Sequence, residues 1–409
     1  MDEASVFQRI PESGGVRQQL YDAVLEARSR TAGSESTGSA LTHAWVFSGP
    51  PGSGRTTSAG AFAAALLCTS PDRPGCGECE GCRTAMAGTH GDLMVARTEG
   101  TIFPVGRIRD EVIPWAYRRP TAEPWWRVLI IEDADRLNPE SSNAILKTVE
   151  EPPAQTIIIF CVPTIDAKDF SVTLRSRCRH IYIPTPEVDD VVKILRAEKP
   201  DLTDEQVRWA ATVSNGHVGR ARGLASSEVT RDWRNQALNL VESVFAPERA
   251  YLEARDLAVG AKDTAEAQLK QKEEAELAKL EESLGVGGRG KGVQAATRGA
   301  SGQVKTLEEN QKRRRKRVAQ DQLDLALTDM AGLYRDAMLA SMQAESAPIH
   351  PDRSRTAAEL ARRVPAEQLL KCVDAVNEAR GLLYGNAQPV AVVSGLVGSL
   401  QVACGVGAR

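Results

Sequence analysis

Gly49-Pro50-Pro51-Gly52-Ser53-Gly54-Arg55-Thr56 follows the short apolar run Ala44-Trp45-Val46-Phe47 and precedes a small-residue, helix-prone run from Ser58 to Leu67. Strand, glycine-rich loop and helix in that order are what a phosphate-binding loop needs. Glycines let backbone N–H groups turn inward around phosphate oxygens, and the helix N-terminus adds partial positive charge. On this reading Gly49, Gly52, Gly54, Arg55 and Thr56 form a nucleotide-binding loop, with the Thr56 hydroxyl at the position of a Mg²⁺ ligand. Arg55 stands where such loops carry lysine. A guanidinium is a bulky planar fork, whereas an ammonium is a compact point charge on a flexible stem. The loop is shaped for a nucleotide but poorly equipped to catalyse with one, which leaves ATP and Mg²⁺ in doubt as ligands.

Trp126 to Ile131 is apolar apart from Arg127 and fits a buried parallel strand. It ends in Glu132-Asp133-Ala134-Asp135. Acids at the C-terminal end of such a strand lie beside the phosphate loop in doubly wound α/β sheets. In a working nucleotide hydrolase the first would hold Mg²⁺ through water and the second would polarise the attacking water. Here the usual Asp-Glu order is inverted to Glu132-Asp133. That misplaces both carboxylates by roughly an ångström, which catalysis tolerates badly.

Asn143 to Glu151 reads as a helix closed by Pro152 and Pro153, which cannot continue one. A second buried strand, Thr156 to Val162, ends near Pro163-Thr164, where the Thr164 side chain could reach a γ-phosphate. Arg175-Ser176-Arg177-Cys178 then leads into a short strand, His180 to Ile183. In a ring assembly an exposed arginine at such a place can enter the neighbour's nucleotide site and neutralise transition-state charge in trans.

Cys68 and Cys76-Gly77-Glu78-Cys79-Glu80-Gly81-Cys82 group four cysteines in a Pro/Gly-rich loop. Thiolates two residues apart can bind one tetrahedral Zn²⁺, and four of them close the site against water. The reading is a structural zinc module over 68–82.

At 409 residues the chain has room for about two or three domains. A net charge of −3 makes no global demand for a nucleic-acid partner, so any such contact must come from local patches. No apolar run approaches the ~20 residues of a membrane span, and Met1-Asp2-Glu3-Ala4 lacks the basic start of a signal peptide. The expectation is a cytoplasmic protein without membrane contact, in which cysteines serve as thiols or metal ligands.

Val16 to Ala27 patterns as a helix, and Ala32 to Ser39 as a loop. In the C-terminal half, Val188 to Leu195, Asp204 to Val213 and the run from Gly219 read as helices. Asp263 to Leu284 alternates Glu and Lys beside a thin stripe of Leu269, Leu277, Leu280 and Leu284, as in an exposed helix or one arm of a hairpin. Gly285 to Gly302 reads as a glycine-rich tip, and Gln303 to Val318 as the returning arm. That arm carries the cations Lys312-Arg313-Arg314-Arg315-Lys316-Arg317. The favoured reading pairs them with Glu273, Glu274, Glu281 and Glu282; the competing one places them on DNA phosphates. Asp321 to Met342, Arg355 to Arg363, Ala366 to Leu383 and Pro389 to Val402 are further helices, with a turn at Gly385-Asn386-Ala387.

Taken in order, the phosphate loop, the four-cysteine insertion, the acidic strand end, Leu146-Lys147 with Glu150-Glu151-Pro152-Pro153, and Ser176-Arg177-Cys178 resemble the bacterial clamp-loader AAA+ subunits of DNA polymerase III. The resemblance covers residues 1 to about 230. It implies an α/β AAA+ P-loop domain with a zinc module over 1–185, a small helical lid over 186–228, and an all-α collar over 229–409 with a charged insertion at 263–318. Motor subunits of the gamma/tau type carry the loop lysine and an ordered Asp-Glu pair; Arg55 and Glu132-Asp133 place this chain with the stator, which has little or no ATPase turnover of its own. A gamma/tau-type motor with an unusual loop and an autonomous AAA+ ATPase are the alternatives.

The resemblance further implies Arg177 as a finger given to a neighbouring motor subunit. It also implies motor and delta subunits as partners, with the sliding clamp and primed DNA reached through the complex. The gap between Cys68 and Cys76 is one residue shorter than the family's, which implies a loop adjustment with metal binding kept. Asn215 to Ala221 resembles the second-domain sensor region, but Arg220 is offset by one position and receives no phosphate role.

Overall fold

The computed structural model describes residues 5–11, 15–33, 38–284, 293–385 and 387–406. The chain divides into two compact units. The first comprises Met1–Thr98, Ile102–Leu202 and Gly216–Ala221, and the second Glu99–Thr101, Thr203–Asn215 and Arg222–Arg409.

The first unit is built on five parallel strands: β1 Ala44–Ser48, β2 Leu93–Ala96, β3 Arg127–Ile131, β4 Thr156–Val162 and β5 Arg179–Tyr182. They lie in the order β2-β3-β4-β1-β5. Val46 pairs with Phe160 on one side and His180 on the other. Every residue of β1, β3 and β4 is buried, as a parallel sheet covered on both faces requires.

Alternation along β1 feeds two cores. Trp45 and Phe47 pack with Leu20, Phe62, Val128 and Ile159. Ala44 and Val46 pack with Leu129, Ile131, Phe160 and Phe103. Helices α1 Val16–Thr31, α2 Arg55–Leu66 and α3 Glu80–Met86 precede β2. Buried Ala59, Ala61, Ala63, Ala64 and Ala65 keep α2 narrow, so Phe62 can meet Trp45 edge-on at 5.3 Å. Between β2 and β3 come α4 Val105–Arg107, a π-turn Ile108–Val112 and α5 Ile113–Ala116. Then follow α6 Pro139–Glu150, α7 Val172–Arg175 and α8 Val188–Glu198. Asn138 caps α6 by accepting from the Ser141 N–H, and Pro139 occupies its first turn.

The sequence raises no expectation for β2, whose four residues carry too little alternation to read. Arg127 inside β3 also finds its reason here. Its guanidinium lies 3.3 Å from the Asp92 carboxylate, with both side chains almost fully buried, stacks 4.0 Å over Trp115 and donates to the Arg119 carbonyl. Asp92 also accepts from the Thr121 and Ala122 N–H groups and the Thr121 hydroxyl. A buried charge survives when paired and hydrogen-bonded in this way.

The second unit is helical. It contains α9 Asp204–Val213, most of α10 Val218–Ser226, α11 Glu228–Ser243, α12 Pro247–Ser283, α13 Val293–Ser341, α14 Ser354–Arg363, α15 Ala366–Tyr384 and α16 Pro389–Ala403. Thr203 and Gln206 close a capping box at the start of α9. The helices expected as a lid are thus shared between the units: α8 lies in the first and α9 in the second. The core of the second unit gathers Leu238, Val241, Leu327, Met330, Leu333, Tyr334, Leu369, Val376, Leu396 and Leu400.

Two sequence expectations need correction. Gln303–Val318 and Asp321–Met342 are not separate helices but parts of α13, a single helix of 49 residues. Val293 to Gly302, read as part of a glycine-rich tip, belongs to α13; residues 285–292 lie outside the described residues. Glycine costs a helix about 1 kcal/mol each, too little for Gly299 and Gly302 to stop a helix this long.

The basic run meets the opposite arm as the favoured reading expects. Arg315 pairs with Glu273 at 2.8 Å, and Arg314 donates to Glu276 at 2.9 Å. Gln311 donates to the Glu273 carbonyl. Glu276, absent from the expected partners, is held below the ordinary carboxylate range chiefly by the Arg314 hydrogen bond, against its burial. The Glu281 side chain lies outside the described residues.

Candidate functional site

The glycine loop leaves the C-terminal end of β1, and each glycine is needed for a different reason. A Cβ on Gly49 would lie 2.2 Å from the Ile183 carbonyl oxygen. Gly52 has φ +82°, and a Cβ there would lie 2.1 Å from the His217 ring. Gly54 has open space around it but a φ of +90°, in the left-handed region that favours glycine. It starts α2 as a left-handed N-cap.

The loop offers unsatisfied donors. Ser53 Oγ, Ser58 Oγ and Arg55 Nη1 are buried without a hydrogen-bond partner. The Arg55 charge acts on Asp135, Cys161 and His217. Orphaned buried donors in a glycine cradle fit a phosphate group.

The acids at the end of β3 fit a hydrolytic metal site poorly. Glu132 is bound by Arg97, with Arg97 Nε 2.6 Å from Oε2 and Nη2 3.1 Å from Oε1. A fork-to-fork arginine pair of this kind is strong and directional, so the carboxylate is committed to the residue that follows β2. Asp133 follows with φ +49°. Asp135 is pushed up to about 6, first by burial and then by Asp133. Thr164 turns into its own loop, donating to Asp169 at 2.9 Å and accepting from the Asp166 N–H.

Two residues received no role from the sequence: Arg97, against Glu132, and His217, against Gly52. Arg97 gave no signal, because its partner is 35 positions away. His217 lies in the Asn215-to-Ala221 segment, but nothing in the sequence aims it at Gly52. Burial, helped by Arg220 and Arg55, lowers the His217 pKa. The Arg220 N–H donates to Nδ1, which places the proton of the neutral ring on Nε2.

The four cysteines converge. Cys68, Cys76, Cys79 and Cys82 offer sulfurs that all lie within 4.8 Å of one another. Cys68 Sγ is 3.8 Å from both Cys76 Sγ and Cys79 Sγ. Four sulfurs at Zn–S bonds of about 2.3 Å would stand roughly 3.8 Å apart on each tetrahedral edge, so the cluster fits a metal of that size. The Cys79 and Cys82 N–H groups donate to the sulfurs of Cys76 and Cys79 at 3.3 Å, which favours thiolates. The Cys82 hydrogen bond is the main cause holding the Cys68 thiol down, to about 4.

Tertiary packing brings the cluster together. Gly81 lies against the Leu67 carbonyl at the end of α2, where a Cβ would approach to 2.1 Å. Gly75 receives the Val6 N–H and the Ser5 hydroxyl on its carbonyl.

Arg177 lies apart from the glycine loop, before β5. Its Nη2 is 2.7 Å from Glu150 Oε1, with the side chains 37% and 39% exposed. Nη1 donates to the Thr173 carbonyl and the Ser176 hydroxyl.

A five-stranded parallel sheet with a glycine loop between β1 and α2 and acids at the end of β3 defines an AAA+-like α/β domain, here followed by a helical C-terminal part. Residues 30–187 match the family described as DNA polymerase III, delta subunit. DNA polymerase III subunit delta prime of Pseudomonas aeruginosa is 32% identical over 206 residues, covering 49% of this chain and 60% of that protein. The delta prime subunit of Escherichia coli is 33% identical over 188 residues, 44% of this chain and 54% of that one. The tau subunit of Bacillus subtilis is 28% identical over 197 residues, 46% of this chain and 34% of that one. The chain thus covers less than two thirds of each of these relatives. No described helix is long and apolar enough to cross a membrane.

Proposed function

We propose that the chain is the delta prime, or stator, subunit of a DNA polymerase III clamp loader. In this role it helps motor and delta subunits place the sliding clamp on primed DNA and hydrolyses little or no ATP itself. The observation that carries this reading is the Arg97–Glu132 pair. It occupies the carboxylate that a motor would need for Mg²⁺, beside a loop whose lysine is already arginine. Thr164, turned onto Asp169, supports the same reading.

Gly49, Gly52, Gly54, Arg55 and Thr56 would hold the phosphates of any bound nucleotide, with Glu132, Asp133 and Thr164 displaced from catalytic service. Cys68, Cys76, Cys79 and Cys82 would hold a structural Zn²⁺ that ties the loop to α2. Arg177, exposed and paired with Glu150, would serve as the finger offered to an adjacent motor subunit, stabilising charge in the transition state there.

Similarity to tau subunits favours a second reading, a motor subunit with an altered loop. The deciding experiment measures primed-DNA-stimulated ATPase of the reconstituted loader, with wild-type chain or Arg177→Ala, beside the isolated chain. The stator reading expects an active assembly, a silent isolated chain and a slowed Arg177→Ala assembly. Turnover by the isolated chain would return the motor reading, and an unaffected Arg177→Ala assembly would remove the finger.

A further inference from the structure

Outside the zinc-type cluster, one sulfur pair stands out in the helical unit. Cys372 is fully buried within α15. Cys404 is the partly exposed C-cap of α16, with its N–H on the Leu400 carbonyl. Their sulfurs are 3.7 Å apart. A disulfide needs about 2.05 Å, so closure asks for a sulfur displacement of about 1.6 Å. Cys404 is placed to supply it, because the helix ends there and Gly405, at φ +71°, turns the chain away.

The surroundings suit reaction at one sulfur and resolution at the other. The Tyr334 hydroxyl, buried and without a hydrogen-bond partner, lies within electrostatic reach of both sulfurs. The hydrogen bond from Cys372 favours the thiolate at Cys404. A thiolate at a partly exposed site is the species that reacts with peroxides. Cys161 and Cys178 make the contrast: burial pushes each up to about 12, and neither has a second sulfur beside it among the described residues.

We propose that Cys372 and Cys404 form a peroxide-oxidisable dithiol whose disulfide fastens the end of α16 to α15. The Cys404 thiolate attacks one oxygen of hydrogen peroxide, the O–O bond breaks, and hydroxide leaves and takes up a proton to form water. The sulfenic acid at Cys404 is then attacked by the Cys372 sulfur, which loses its proton as the S–S bond forms and a second water departs. Two thiols are oxidised by two electrons and one peroxide becomes two waters. A small dithiol reverses the bond by exchange.

The test uses the full chain loaded with zinc and treated with one to two equivalents of hydrogen peroxide. Free thiols, zinc release and disulfide-linked tryptic peptides are followed together. The expected result is loss of two thiols without zinc release, a linked peptide pair containing Cys372 and Cys404, recovery with dithiothreitol, and a melting temperature raised by several degrees in the oxidised form. Cys372→Ser should leave a Cys404 sulfenic acid that dimedone captures, and Cys404→Ser should abolish the linked pair. Over-oxidation of Cys404 without a linked peptide, or oxidation confined to the four clustered cysteines, would overturn the proposal. If either variant fails to fold, the wild-type peptide map decides by itself.

Discussion

Arg177 and Glu150 form an ion pair of 2.7 Å between the turn before β5 and the last residue of α6. The pair joins two motifs that stand 27 positions apart in the sequence, Glu150-Glu151-Pro152-Pro153 and Ser176-Arg177-Cys178. Both side chains are more than one third exposed, so the pair is worth at most about 1 kcal/mol to folding. Its consequence is orientation. Arg177→Ala should leave the melting temperature of the isolated chain nearly unchanged and slow the DNA-stimulated ATPase of the assembled loader by roughly tenfold or more. Glu150→Gln should give a smaller loss in the same assay, because the guanidinium keeps its charge and its Thr173 and Ser176 contacts.

The four-sulfur cluster predicts metal stoichiometry. Wild-type protein should carry about one zinc per chain. Cys82→Ser should abolish binding and lower the melting temperature, because Cys82 is buried and its sulfur reaches the Ala64 carbonyl. Elemental analysis beside thermal unfolding checks both. A folded wild-type preparation with four titratable thiols here and no metal would remove the site.

The contact of Gly52 with His217 predicts a coupled pair. Gly52→Ala adds a Cβ 2.1 Å from the ring at a positive φ. The backbone part of that strain is about 1–2 kcal/mol, and the clash adds to it. His217→Ala removes the ring contacts but leaves the His217 Cα 2.6 Å from the added Cβ, so it should recover part of the clash and none of the backbone cost. A double-mutant cycle by urea denaturation should therefore show a favourable coupling of about 1 kcal/mol or more. Strict additivity would mean that the two residues do not meet in solution.

Asp352 gives the pH dependence of the helical unit. Burial pushes its carboxyl up, but the hydrogen bonds and charge of Arg234 outweigh burial and hold it below its usual value. Arg234 is itself buried and donates to both Asp352 oxygens at 2.8 Å. A carboxylate whose folded pKa is depressed contributes stability above its unfolded pKa, near 4, and loses it as pH falls through the folded value. Asp352→Asn should thus cost about 1–3 kcal/mol at pH 7, with the difference from wild type shrinking below about pH 4. Urea titrations at pH 7 and pH 3 measure it. A difference that grows on acidification would contradict the assigned pairing.

The ion pairs of the long hairpin bear on the DNA reading of the basic run. Arg314 and Arg315 are taken by Glu276 and Glu273, leaving Lys312 and Arg313 among the exposed positions. Lys312→Glu with Arg313→Glu should change primed-DNA affinity of the assembly by less than about twofold at 0.15 M salt. A tenfold loss with a shallower salt slope would place these cations on phosphate.

Much of the α/β unit was legible because local patterns carry its physics. Continuous apolar runs bounded by turn residues marked β1, β3 and β4, since a parallel strand covered on both faces must be apolar throughout. The glycine loop was legible because close backbone approach and positive φ exclude other residues, and the cysteine spacing because one metal must be reached by short side chains. The sequence also indicated that Arg55 and the Glu132-Asp133 order depart from a working hydrolase, since those are statements about which residues are present.

What only the tertiary structure decided are partnerships between distant residues. Arg127 interrupts the apolar run of β3, and Asp92, 35 positions earlier, pairs with it. Glu132, read from the sequence at a metal-ligand position, pairs with Arg97, 35 positions earlier. His217 lies against Gly52 across 165 positions, and Cys372 meets Cys404 only because α15 and α16 pack together. The extent of α13 also escaped the sequence, because glycines that resemble a turn cost a long helix little. Local sequence fixes which conformations and chemistries a segment can support; which charge neutralises which, and which sulfur faces which, is set by packing across the fold.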